Sequence, residues 1–146
     1  TNDYFKRYPL FSSDTEIPSV YAITKDKSGN IWVGLRGKDP LLRITPDGRT
    51  SSVKIPAFIP VNEGGAIRSL TYDGKGFWIG FFSKFLLYYD IDKQTFTKHD
   101  VDAQNLRPVA QTLDGSVVIA ATERSLAFYD PTLKQLFKKI KNKNEI

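Results

Sequence analysis

The chain has 146 residues, enough for one ordinary domain with its own core and too few for two of average size. Hydrophobic residues make up 40% and aromatic residues 13%, which excludes a disordered chain, and the absence of cysteine excludes a disulfide framework and a thiolate metal site. The net charge of +5 comes from lysines and arginines spread along the sequence and not from a basic block, so no nucleic-acid partner is expected.

No apolar run approaches the ~18 residues that suggest a membrane-spanning helix. Contact with a membrane is expected only through parts outside this segment. The opening Thr1-Asn2-Asp3-Tyr4 does not read as a secretory signal, and without methionine anywhere the chain reads as an excised or processed piece of a longer protein.

In chain order, Phe5–Tyr8 reads as a short strand, followed by a linker. Val20–Asp26, Gly29–Gly34, Leu41–Pro46 and Ser52–Ile55 then form a series of short apolar strands separated by Asp, Gly and Pro turn signals. The series recurs as Ile67–Asp73, Gly76–Gly80, Phe85–Asp90 and Phe96–His99. It recurs again as Pro108–Asp114, Gly115–Ala120, Ser125–Pro131 and Phe137–Ile140. Trp32, Trp78 and Val118 occupy matching places, 46 and 40 residues apart.

Four strands in every ~40–45 residues, with no helical periodicity, are the mark of propeller blades. The predicted fold is all-β: a β-propeller fragment of about three four-stranded antiparallel blades plus the outer strand of a preceding blade. The expected boundaries are 1–13 for that outer strand and linker, 17–56 for blade one, 62–100 for blade two and 102–141 for blade three. Such blades bury their faces only against neighbours, so Trp32 and Trp78 are expected to pack between blades. A complete ring takes roughly 4–8 blades. The open ends are therefore expected to meet the remaining blades of a parent protein or a second copy of the fragment.

The stretch Ile17-Pro18-Ser19-Val20 through Lys25-Asp26-Lys27-Ser28-Gly29-Asn30-Ile31-Trp32-Val33-Gly34 resembles the two-component regulator propeller repeat. The resemblance implies the periplasmic sensor region of hybrid two-component histidine kinases, a ligand-sensing module that responds to glycan breakdown products and signals across the membrane. Leu42-Arg43-Ile44-Thr45-Pro46-Asp47-Gly48 is similar to a repeat of streptogramin lyases, which implies a propeller enzyme as an alternative. A protein-interaction scaffold is the other.

No catalytic residue, metal site or cofactor is expected. His99, the one histidine, falls on an outer strand at the position of Tyr8, Ile55 and Ile140, far from a central channel. Asp90-Ile91-Asp92-Lys93-Gln94 resembles the start of a calcium loop but lacks the sixth-position glycine and twelfth-position glutamate, so it reads as a turn. Gly74 and Gly76 precede no helix and cannot present a helix N-terminus to phosphate. Lys134, Lys138, Lys139, Lys141 and Lys143 read as a solvated edge.

Propeller ligands sit near the axis on loops joining second to third strands and fourth strands to the next blade. These loops carry Arg36, Lys38 and Asp39 in the first unit, Phe82 and Lys84 in the second, and Glu123 and Arg124 in the third, with Arg107 on a connection between units. Charged side chains beside an aromatic face suit an oligosaccharide or sugar acid, which makes these eight the candidate ligand-binding residues.

Overall fold

The computed structural model describes residues 19–37, 39–59, 65–81, 85–101, 106–116, 118–121 and 125–141. They form three four-stranded antiparallel sheets, each a simple meander. The first holds β1 (Val20–Lys25), β2 (Ile31–Leu35), β3 (Leu41–Ile44) and β4 (Thr50–Val53). The second holds β5 (Ser69–Tyr72), β6 (Gly76–Gly80), β7 (Phe85–Asp90) and β8 (Thr95–Asp100). The third holds β9 (Arg107–Gln111), β10 (Val118–Ala121), β11 (Ser125–Asp130) and β12 (Gln135–Lys141). The sheets stack as blades through their first strands, β1 against β5 and β5 against β9. The outer strand expected within 1–13 lies outside the described residues.

Aspartates close the turns. Between β1 and β2, Asp26 accepts hydrogen bonds from the Ser28 and Asn30 backbone N–H groups at 2.9 and 3.0 Å. It also accepts from Asn30 Nδ2 and from the Trp32 indole Nε1, both at 2.9 Å. Gly29 adopts φ 83°, a left-handed conformation that costs glycine nothing, and its N–H returns to the Asp26 carbonyl. One carboxylate thus satisfies the turn and fixes the ring that blade two packs against. Asp73 caps the equivalent turn through the Lys75 and Gly76 N–H groups, and Asp114 through Ser116. In the third-to-fourth-strand turns, Asp90 accepts from Lys93, and Asp130 from Thr132 and Leu133. The calcium-like segment is therefore a capped turn, closed by Gln94 in a left-handed conformation at φ 53°.

Strand alternation sends one set of side chains to the preceding blade and the other to the following one. From blade one, Trp32 and Leu41 meet Phe77, Ile79, Phe85, Leu87 and Tyr89 of blade two in one buried cluster. Trp32 lies 5.0 Å from Phe77 and 5.8 Å from Tyr89, centroid to centroid. From blade two, Trp78 and Leu86 meet Val118, Ala120, Ala127 and Tyr129 of blade three. Both tryptophans pack between blades, as expected.

Pairing register corrects three sequence alignments. Trp78 pairs with Tyr88 and Phe77 with Tyr89, whereas Val118 pairs with Tyr129 and Ile119 with Phe128. Both Tyr89 and Tyr129 directly precede the turn aspartate of their blade, so Val118 matches Phe77 and Ile119 matches Trp78. The fourth strand of blade one runs over Thr50–Val53 and not Ser52–Ile55, because β3 begins at Leu41, whose partner is Val53, and the residue before Leu41 is Pro40, which has no N–H to extend the pairing. His99 accordingly corresponds to Val53, not Ile55. The first strand of blade two starts at Ser69, because the Ile67 N–H bonds across to the Leu35 carbonyl of blade one at 3.1 Å.

Candidate functional site

At one end of the stack the second-to-third-strand connection of blade one meets the chain that enters blade two. Arg36 forms an isolated antiparallel bridge with Ala66, and the Gly37 N–H points to the Gly65 carbonyl at 3.4 Å. The Arg36 N–H also donates to the Ser19 carbonyl at 3.2 Å, so three segments converge on this residue. Arg36 and Asp39 are both exposed there, with backbones held by a buried frame of Leu35, Pro40 and Ile67. Polar side chains on a rigid support are what a binding surface needs, since little ordering cost is left for the ligand to offset.

Of the other candidates, Arg107 opens β9 opposite Ala121. Lys38, Phe82, Lys84, Glu123 and Arg124 lie outside the described residues. A feature that the sequence did not reveal is Arg68, whose guanidinium carbon stands 4.1 Å from the centre of the Tyr21 ring of blade one, a close cation–π contact. Its components sit 47 positions apart in sequence and meet only because β1 and β5 lie side by side.

His99 lies on the outer strand β8, as its place in the repeat predicts, but it is packed and not solvated. It is buried between blades two and three, with its ring centre 5.0 Å from Trp78 and its Nδ1 2.9 Å from the Tyr129 hydroxyl. Burial holds its pKa below the usual histidine range, with the Lys134 charge adding to the effect and Asp100 opposing it. Burial likewise raises the Tyr129 phenol, helped by Asp100 and Asp130. This pair packs in the interface between blades two and three.

Stacked four-stranded meanders joined through their first strands define the chain as part of a β-propeller. Residues 17–37, which contain Asp26, Gly29, Asn30 and Trp32, match the family model described as two component regulator propeller. Comparison with curated proteins gives no significant match. Among solved structures, the chain is similar to the extracellular domain of a putative hybrid two component system from B. thetaiotaomicron. The TM-score is 0.69 at 22% identity, covering 88% of this chain and 17% of that one. It is also similar to virginiamycin B lyase from Staphylococcus aureus, with a TM-score of 0.68 at 14% identity, covering 86% of this chain and 42% of the lyase. These likenesses show a shared fold, and the chain spans well under two thirds of either structure.

Proposed function

We propose that the chain is part of the ligand-sensing input module of a two-component sensor histidine kinase. In this reading the blades stand on the periplasmic side of the inner membrane and recognise a glycan or oligosaccharide at the loop end that carries Arg36 and Asp39. The match of residues 17–37 to the two component regulator propeller carries the proposal. The Asp26 cradle explains that match physically, because the motif encodes a capped turn and a positioned tryptophan. His99, the chain's one histidine, is buried between blades two and three and lends the lyase reading no support.

Two measurements test the proposal. An alkaline phosphatase fusion following the blades in the parent protein is expected to be active, and an inactive fusion of a stably expressed protein rejects the extracytoplasmic placement. Calorimetric titration of the parent's sensor region with oligosaccharides is expected to give binding that Arg36→Ala weakens by about tenfold, the worth of one charge-assisted hydrogen bond. Binding unchanged by Arg36→Ala and Asp39→Ala rejects the loop end as the site.

A further inference from the structure

We propose that the groove between blades one and two is a binding site for a compact organic anion, one that carries a carboxylate or sulfate group beside a flat apolar face. The groove encloses about 550 Å³ and runs between β3–β4 of blade one and the β7–β8 hairpin of blade two. That volume lies within the range of small-molecule sites. The proposal stands on this groove alone and does not depend on the loop end around Arg36.

The groove exists because blade one departs from its repeat. Trp32 pairs with Arg43, and Arg43 with Ser51, so these three side chains form one row aimed at blade two. At the position of Arg43, blade two carries Tyr88 and blade three carries Phe128, paired with Trp78 and Ile119. Two blades therefore place an aromatic ring where blade one places a cation. Next to Arg43, the short side chain of Ser51 leaves the outer part of the blade interface unfilled. Phe58, 72% exposed, stands at the lip, and Phe96 and Tyr89 supply apolar wall from blade two.

The charge in the groove is one-sided. Arg43 and Lys54 line it, and none of the described residues lining it is acidic. The Arg43 guanidinium carbon lies 5.8 Å from the Trp32 ring centre, near the outer limit of a cation–π contact. Its Nε is buried and finds no acceptor among the described residues. A buried N–H without an acceptor costs free energy that a hydrogen-bonded oxygen recovers, and a guanidinium fork matches a carboxylate or sulfate in shape. Ser51, Gln94 and Thr95 offer further donors and acceptors to ring hydroxyls along the same walls.

Titration calorimetry of the full chain at constant ionic strength, with sodium glucuronate, glucose and sodium sulfate as probes, tests the proposal. Glucuronate is expected to bind saturably and at least about tenfold more tightly than glucose, the usual worth of one charge-assisted contact. Arg43→Gln is expected to abolish that preference, and Ser51→Leu to block the groove by filling it. If Arg43→Gln fails to fold, Ser51→Leu decides, because it leaves every charge in place. Competition by sulfate identifies the anion as the recognised group, and glucuronate binding without such competition identifies the carboxylate together with its ring. Absence of saturable glucuronate binding overturns the proposal, as does binding that survives both substitutions. Arg36→Ala is expected to leave groove binding intact, which separates this site from the loop end.

Discussion

Replacing Asp26 by alanine is the most informative perturbation, because one carboxylate serves four donors. Three of them belong to Asn30 and Trp32, which are only 5% and 1% exposed, so water cannot take over the lost bonds. Each orphaned buried donor costs about 1–3 kcal/mol, and partial relaxation of the turn brings the expected total to about 3–5 kcal/mol. That is a large share of the ~5–15 kcal/mol that holds an ordinary domain together. In urea, with a slope of about 2 kcal/mol/M, the unfolding midpoint should fall by about 2 M. Asp26→Asn keeps one acceptor oxygen and should lose about half as much. Burial pushes the Asp26 pKa up, but the hydrogen bonds from Trp32, Asn30 and Ser28 outweigh it, and the net shift is downward. The unfolded chain then binds the proton more readily, so this contribution is complete above the unfolded value near ~4 and is lost as pH falls through the folded value. Urea midpoints across pH 2–6 check this. An unchanged midpoint in Asp26→Ala, or wild type and variant losing stability in parallel, would refute the account of the turn.

A Cβ at Gly76 would lie 1.9 Å from the Tyr89 carbonyl oxygen, so Gly76→Ala should destabilise by about 3 kcal/mol or more, and a wild-type melting profile would contradict the hairpin geometry. His99 is held neutral by burial, and the unfolded chain takes up its proton first. Its contribution is therefore intact above ~6.5 and lost as pH drops from there through the folded value. Melts from pH 7.5 to 5 should show the loss in wild type and a smaller one in His99→Leu; equal slopes would reject the burial argument. Tyr129→Phe removes the partner of His99 Nδ1 and should cost about 1 kcal/mol, with the effect vanishing in a His99→Leu background when both are measured in a double-mutant cycle. Asp114, drawn down to about 2 by the Thr112 hydroxyl and then by Ser116, should titrate higher in Thr112→Val when followed by carboxyl NMR.

Blade count and strand order were legible because each unit advertises its turns chemically. Asp26, Asp73 and Asp114 stand where an apolar strand stops, and each proves to cap the following turn. The alignment of blade three slipped by one residue for an equally physical reason. Val117-Val118-Ile119 is an unbroken β-branched run, and such a run does not say which side chains face which neighbour. Arg36 and Asp39 were legible as exposed loop residues, but the bridge from Arg36 to Ala66 exists only once two blades stand together. Arg43 was invisible as a groove residue, since Leu-Leu-Arg-Ile reads equally well as a strand with its polar side chain in water.

The separation of blade surfaces into a set facing the blade before and a set facing the blade after gives the stack a direction. Val33, Leu35, Leu42 and Ile44 make one kind of surface, on the face of blade one turned away from blade two, and they are buried. Blade three presents the other kind through Ile119, Leu126 and Phe128. Each interface within the chain is therefore heterologous, because the face a blade turns to the next differs from the face it turns to the one before. Both interfaces share this polarity, with Trp32 and Phe77 together in the first and Trp78 and Val118 together in the second.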